Sequence, residues 1–332
     1  AFDIPAVRDG RIITEEFTHN RPAGMQGFIF NIRKPFFRDP RVRRALTLVW
    51  DFEWYNKNLA YNAYSRTDSY FDNSELSSRG LLADADAEER EILERFRGQL
   101  PDALYTKSYT TPATDGSGAR GIRNNLRAAR KLLQEAGWVV REGTLVNGKT
   151  AAAFTFEILL VQPTFERMAL PFARNLERLG IEANVRVVDT AQYQNRTEAR
   201  DYDMIIGSWG QSLSPGNEQR NFWSTRAAEA AGSRNLIGIQ DPVIDELIEL
   251  LISAPSRESL VQRTRALDRA LLWGHYVIPH FHLSVDRIAF WDKFGRPEKI
   301  PMLGEATNIS AWWIDPAKEA ALGSRNGSQS GG

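Results

Sequence analysis

The sequence predicts an α/β protein whose mixed sheet is flanked by helices. A strand, a helix and a second strand follow one another between Phe154 and Val188. A β-branched strand ends at Trp209 in a polar, glycine-bearing loop, which is how an open sheet presents a ligand loop. Amphipathic segments bounded by Pro or Gly precede and follow these strands. Alternation of this kind predicts a partly parallel sheet.

The first part of the chain predicts a strand, a short loop and a helix. Residues 27–32 form the predicted strand, and Asp39 followed by Pro40 predicts an N-cap and a first helical position. The spacing of apolar residues predicts an exposed helix over 84–97 and a helix over 122–136 that Gly137 ends. Gly, Pro and small polar residues predict a surface loop over 105–121 and a hairpin turn over 141–149.

The central unit carries the strongest pattern. Residues 154–161 and 183–188 predict strands on either side of a helix over 164–179, which Pro171 should kink and Gly180 should end. A right-handed crossover would make the two strands parallel. The later elements are predicted in this order: helix 190–200, strand 203–208, a helix capped by Asp241, helix 256–273, and strands 276–283 and 286–290.

Composition excludes several partners. Lys plus Arg and Asp plus Glu are equal at 42 each, so no global field attracts nucleic acid or an anionic membrane. There is no cysteine, which fits either a cytoplasmic protein or a bacterial envelope protein. No apolar run approaches the roughly 20 residues of a spanning helix. We expect no cofactor and no metal, since His280 and His282 share a strand face without a carboxylate at matching spacing.

Several motifs, taken in order, carry a family resemblance. They are Phe30-Asn31, residues 39–46, Asp51-Phe52-Glu53, residues 128–138 and residues 276–279. In this order and at this spacing they resemble the second half of family 5 extracellular solute-binding proteins, the peptide-binding components of bacterial ABC importers. Residues 64–71 and 209–218 are most similar to the Yej-type branch, which is associated with oligopeptides and the peptide-nucleotide antibiotic microcin C.

The resemblance implies a periplasmic protein with two lobes that close over a ligand by a hinge motion and then dock on an inner-membrane ABC permease. This chain looks like the second lobe, with the fold of a type II periplasmic binding protein, plus segments of the first. The expected divisions are the end of the first lobe at 1–25, the second lobe at 26–283, a return segment at 284–316 and a flexible tail at 317–332. Hinge crossings are expected at Gly24, Met25, Gln26, Leu283 and Ser284. A complementary N-terminal fragment is a further expected partner.

The same resemblance implies that the loop after Trp209 contacts the ligand. We expect an oligopeptide or peptide-like compound to be bound by Trp209, Gly210, Gln211, Ser212, Ser214 and Asn217. Ser212 stands where dipeptide and oligopeptide binders have an Asp that pairs the ligand's ammonium, so the amine is held elsewhere, with Glu218 as one candidate, or the ligand is blocked or larger. The alternative for Trp209 is a core aromatic without ligand contact.

An aromatic segment supplies three further candidates: Arg66, Asp68 and Tyr70. Arg66 is expected to recognise a carboxylate or phosphate. The alternative is an internal ion pair between Arg66 and Asp68 that holds a loop.

The alternative function is a carboxylate-dependent hydrolase that acts on a peptide or saccharide, with Asp201 and Asp203, or Asp51 and Glu53, as acid and base. The sequence contains no Gly-x-Ser-x-Gly elbow, no His-Glu-x-x-His and no P-loop, so a protein without catalytic residues is the favoured interpretation.

Overall fold

A computed structural model describes residues 3–298 and 311–327. Its strands are β1 (Ile12–Thr18), β2 (Met25–Phe30), β3 (Ser65–Arg66), β4 (Trp138–Arg141), β5 (Thr144–Asn147), β6 (Thr155–Leu160), β7 (Glu182–Val187), β8 (Met204–Trp209), β9 (Val277–Pro279), β10 (Phe281–His282), β11 (Val285–Trp291), β12 (Phe294–Gly295) and β13 (Trp313–Ile314). Its α-helices are α1 (Pro5–Arg8), α2 (Pro40–Thr47), α3 (Phe52–Leu59), α4 (Ala87–Glu94), α5 (Asp102–Thr106), α6 (Arg123–Glu135), α7 (Glu166–Glu177), α8 (Thr190–Glu198), α9 (Glu218–Trp223), α10 (Thr225–Glu229), α11 (Pro242–Ile252), α12 (Arg257–Trp273) and α13 (Pro316–Gly327). Short 3-10 turns span Pro35–Phe37, Leu82–Asp84 and Pro163–Phe165.

The chain divides into two compact units. The larger covers residues 22–282, and the smaller combines residues 1–21 with residues from 283 onward. The larger unit is built on a five-stranded sheet in the order β7-β6-β8-β2-β9. β6 is parallel to β7 and to β8, whereas β2 is antiparallel to both of its neighbours. The predicted α/β class with a mixed sheet is confirmed.

The sheet carries a core on each face because side chains alternate along every strand. On β2, Phe28 and Phe30 belong to one apolar cluster, with residues of α2, α6 and α7. Ile29 belongs to the other cluster, with residues of α11 and α12. We call these the Phe28 face and the Ile29 face. Helix α2 begins as predicted, since the Asp39 side chain accepts a hydrogen bond from the Arg41 amide and Pro40 follows the cap.

The smaller unit contains an antiparallel pair, β1 with β11, in the register Ile12↔Trp291 to Thr18↔Val285. The sequence analysis did not identify β1. The tail expected at 317–332 begins instead with helix α13: the Asp315 carboxylate accepts hydrogen bonds from the amides of Ala317 (2.9 Å) and Lys318 (3.2 Å), and Pro316 stands at the helix start. Residues 328–332 lie outside the described part.

The described helices include none with the length and apolar content needed to cross a membrane.

Acid should destabilise this fold partly through His280. Burial, reinforced by the Arg66 charge, lowers the pKa of His280 from 6.5 to about 3. Between these pH values the unfolded state binds more protons than the folded state, so the free energy of unfolding rises with pH. This contribution to stability is lost progressively as the pH falls below about 6.5. We expect His280→Leu to reduce the slope of the free energy of unfolding against pH by about 1.4 kcal/mol per pH unit.

Urea unfolding of both proteins between pH 3 and pH 7 measures this slope. Phe28→Leu is the matched control, because the Phe28 ring contacts the His280 ring edge-on, with centroids 4.5 Å apart, but has no titratable group. It should lower stability equally at every pH. Parallel curves for His280→Leu and the unaltered chain would contradict the prediction.

Candidate functional site

The candidate residues that follow Trp209 lie at one edge of the central sheet. β6 and β8 are parallel and end there, at Leu160 and Trp209, and the antiparallel β2 begins there, with Met25 opposite Trp209. We call this the strand-end edge. Gly24 has a φ of +66°, and a Cβ at that position would stand 2.2 Å from the Trp209 carbonyl oxygen. Only glycine allows the chain to pass so closely over the end of β8.

The loop from Gly210 to Asn217, here the Gly210 loop, is held by bonds among its own residues and with α9 and α12. The Gln219 side-chain amide donates to the Oε1 of Gln211 at 2.7 Å, and the Gly216 backbone amide donates to the Glu218 carboxylate at 2.8 Å. The Ser214 amide donates to the Ser212 hydroxyl oxygen at 3.2 Å. Ser212, Ser214, Asn217 and Gly210 are exposed, and Gly210 has open space around its α-carbon. The loop therefore presents hydroxyls and backbone to solvent.

The expected side-chain contact of Trp209 and Tyr70 with a ligand needs correction. Each is 1% exposed. The Trp209 ring packs against Trp223 with centroids 4.7 Å apart, and Tyr70 meets Trp223 edge-on at 5.1 Å. The Trp209 Nε1 donates to the Arg234 carbonyl at 2.9 Å. The core interpretation of Trp209 fits this structure, because burial and a satisfied indole leave no surface for a ligand.

Arg66 lies on β3, which pairs with β10 in the register Phe281↔Arg66. Its three guanidinium nitrogens are inaccessible to solvent and have no hydrogen-bond partner within the described residues. The group stacks over the Phe52 ring at 5.1 Å, and burial lowers its pKa to about 10. Asp68 forms no ion pair with it in the described part; the Asp68 carboxylate accepts from the Thr111 amide at 3.0 Å. An anion receptor requires a cation that has no acceptor within the protein. When no anion is bound, burying such a cation lowers the stability of the fold.

A residue that the sequence analysis missed fixes the segment around Tyr70. Asp268, on α12, is completely buried and accepts hydrogen bonds from the Ser69 hydroxyl, the Tyr70 amide and both the amide and the hydroxyl of Ser78. Burial raises the pKa of Asp268 to about 6, against the effect of these donors. Nothing in the local sequence marks Asp268, because its partners stand about 190 residues earlier in the chain.

The expected hinge residues lie close to the division between the units. The structure places the boundaries between Arg21 and Pro22 and between His282 and Leu283. Met25 and Gln26 already belong to β2, and Met25 is buried in the core. A bend at those two positions would break the hydrogen bonds of β2 within the sheet.

The carboxylates considered for a hydrolase are engaged in structural bonds. Asp203 pairs with Lys34 at 2.9 Å and accepts from the Glu157 amide, and Asp201 pairs with Arg196 at 3.0 Å. Asp51 caps α3, and Glu53 accepts from the Thr114 amide at 2.9 Å. Within the described residues no group of three His, Asp or Glu side chains could hold a metal ion.

A mixed sheet covered by helices on both faces, with an exposed polar loop at its strand-end edge, is an arrangement in which open α/β sheets bind ligands. Residues 3–230 match the profile of bacterial extracellular solute-binding proteins, family 5. The chain belongs to this family, and the predicted resemblance is confirmed.

Relatives of higher identity agree with that placement, and a solved structure shares the fold. The chain is 42% identical over 95% of its length to a probable peptide-binding protein YejA of Agrobacterium fabrum, and 39% identical over 94% to the peptidoglycan-binding protein YepA of the same organism. It covers 51% and 50% of those proteins, about half their length. The oligopeptide-binding protein AppA of Bacillus subtilis, solved with a nonapeptide, shares the fold with a TM-score of 0.66 at 16% identity, over 94% of this chain and 55% of AppA.

Removal of the Arg66 charge should not destabilise the larger unit. Arg66→Met deletes a buried cation with no acceptor in the described residues, so we expect the free energy of unfolding to stay unchanged or to rise, by about 1–4 kcal/mol at most. Arg269→Met is the control: Arg269 is 2% exposed and its guanidinium pairs with Glu89 at 2.9 Å, so its loss should cost about 3–5 kcal/mol. Urea denaturation followed by circular dichroism measures both. An equal loss for Arg66→Met would show that the guanidinium has a structural partner.

Proposed function

We propose that the chain is part of the substrate-binding protein of a bacterial ABC import system, which captures oligopeptides or peptide-like compounds in the periplasm and delivers them to an inner-membrane permease. The ligand would lie across the strand-end edge, against the Gly210 loop. Closure of two lobes would then enclose it. The protein would supply binding without chemistry of its own.

One observation carries this proposal: a polar, exposed loop stands at the carboxyl end of β8 in a member of a solute-binding family. Open α/β sheets bind ligands outside the carboxyl ends of their strands. Similar proteins support a peptide-like ligand, since YejA is a probable peptide-binding protein and AppA was solved with a nonapeptide. The carboxylates that a hydrolase would need are occupied by structural bonds.

Backbone capture explains how such a site would accept many sequences. Gly210 has open space around its α-carbon, so a peptide backbone can approach this turn closely. The hydroxyls of Ser212 and Ser214 and the Asn217 amide add adaptable donors and acceptors that water can extend. Arg66 would meet an acidic group only if the ligand or a local rearrangement opened a path to its buried nitrogens.

The chain by itself should bind peptide weakly. It spans about half the length of its relatives, and a ligand held by one lobe lacks the contacts and desolvation that closure supplies. Native mass spectrometry of the chain with a tripeptide library should show little retention. Addition of a fragment that corresponds to the N-terminal half of a YejA relative should increase it at least about tenfold. Tight retention by the lone chain would contradict this expectation.

Ser212→Asp should change which peptides are preferred. A carboxylate at this exposed position would form a charge-assisted hydrogen bond with a ligand's ammonium, worth about 1.5–3 kcal/mol where a hydroxyl gives about 0.5–1.5. Peptides with a free N-terminus should gain about fivefold or more over their N-acetylated forms, measured by competition in the reconstituted pair. Ser212→Asn is the neutral control and should not discriminate. An unchanged preference in Ser212→Asp would mean that the amine is not bound near this residue.

A further inference from the structure

A second recess opens at the strand-end edge, on the Phe28 face of the sheet. It has a volume of about 520 Å³ and is bordered by Gln26, Tyr55, Leu59, Ala60, Tyr61, Tyr64, Thr164, Phe165, Arg167, Met168 and Phe281. We call it the tyrosine recess. Gln26 stands opposite Ser208 in the β2–β8 register, one residue from the end of β8. Because neighbouring strands lie roughly 5 Å apart, a ligand on the Gly210 loop needs to cross only the edge of the sheet to reach the recess.

The wall of the recess is a stack of rings. Phe281 lies between Tyr64, at 4.1 Å between centroids, and Tyr55, at 5.5 Å with an angle of 13° between the planes. Phe281 itself is fixed by the pairing of β10 with β3. A wall made of side chains that already contact one another needs little ordering when a ligand binds, which favours affinity.

The turn that ends α3 presents a further ring at the mouth. Tyr61 and Asn62 are consecutive residues with φ of 54° and 56°, a conformation that costs non-glycine residues free energy. The turn is locked by Asn56, whose side chain donates to the Tyr64 carbonyl at 2.9 Å and accepts from the Tyr64 amide at 3.2 Å. Tyr61 is nevertheless 87% exposed. A strained, clamped turn that displays an aromatic side chain to solvent indicates a binding role rather than a packing role.

The charged side chain that borders the recess is positive. Arg167, at the start of α7, is exposed and its guanidinium makes no ion pair or hydrogen bond with the described residues, whereas the lining contains no carboxylate. Its charge acts on the nearby Tyr55: burial raises the pKa of the Tyr55 hydroxyl, with Tyr64 adding to this effect and Arg167 opposing it. The recess therefore combines flat apolar surfaces with an available cation, and that combination suits a ring that carries a carboxylate.

We propose that the tyrosine recess is a subsite for a ring that bears a carboxylate, so that the ligand extends from the Gly210 loop into this recess. This inference rests on the proposed function of peptide-like capture. Two sources share the chemistry: an aromatic residue at the C-terminus of a peptide, and a sugar acid such as N-acetylmuramic acid. Tyr61 would stack on the ring, and Arg167 would pair with the carboxylate.

The test uses the chain itself and small probes that need only this recess. Binding of N-acetylphenylalanine and of N-acetylmuramic acid is followed by ¹H–¹⁵N NMR shifts of the residues around Tyr61 and Arg167. N-acetylphenylalanine amide and N-acetylglucosamine, which keep the ring but lack the carboxylate, should bind about three- to tenfold more weakly than their acids. The acid that binds more tightly identifies the source of the ring.

Variants separate the two contacts. Tyr61→Ala should weaken both acids about three- to tenfold, and Tyr61→Phe should not. Arg167→Gln should abolish the preference for acid over its neutral analogue. Arg174→Gln is the matched control, because Arg174 is also exposed on α7 but borders a different pocket; it should have no effect. Thermal unfolding checks that every variant remains folded.

Trialanine amide, which has neither a ring nor a carboxylate and is called trialanine below, is titrated in parallel and reports on the Gly210 loop. Saturable shifts near Tyr61 that depend on Tyr61 and Arg167 support the subsite. Absence of such shifts, or shifts that both substitutions leave unchanged, overturns it, whether or not trialanine perturbs the loop. Failure of peptide capture as a function would appear separately, as no response to trialanine in the chain reconstituted with its N-terminal counterpart.

Discussion

The pairing of β2 with β8 is the constraint on which the rest of this structure depends. It joins residues near position 25 to residues near position 209, in the register Met25↔Trp209 to Phe30↔Met204. β2 also pairs with β9, so the first strand of the larger unit lies between two strands from later in the chain. This arrangement brings Gly24, the Gly210 loop and the tyrosine recess to one edge of the sheet. A slip of one residue would exchange the Phe28 and Ile29 faces and disrupt both cores.

At this edge, the residues that support the Gly210 loop differ from those exposed to solvent. Trp209, Trp223 and Tyr70 pack together beneath the Gly210 loop and hold its base, whereas the groups free to meet a ligand are small and polar. On the opposite face the arrangement is reversed, since aromatic rings themselves border the recess. The proposed site would therefore have a polar side and an aromatic side, which would suit compounds that contain both a peptide and a ring.

Several of the buried polar groups without described partners lie near the Phe28 face. They include the Arg66 guanidinium, both ring nitrogens of His280 and the indole nitrogen of Trp50. His280 contacts both Phe28 and Trp50, so these groups belong to one neighbourhood of the Phe28 face. Such groups lower stability, and their presence here is consistent with the general trade of stability for function at binding sites. Elsewhere in the unit, the buried Arg269–Glu89 pair and the fully bonded Asp268 show how buried charge is satisfied.

The sequence by itself determined the elements whose signals are local. The cap at Asp39-Pro40, the βαβ spacing between Phe154 and Val188, and the apolar strand before Trp209 all follow from side-chain periodicity and capping, which need no tertiary contact. Only the tertiary structure decided the rest. It placed the Trp209 ring in the core, bonded Asp268 to residues about 190 positions away, and assembled the recess from Tyr55, Arg167 and Phe281. Contacts between distant segments produce no periodic pattern in the sequence, because strand order and register determine which residues meet.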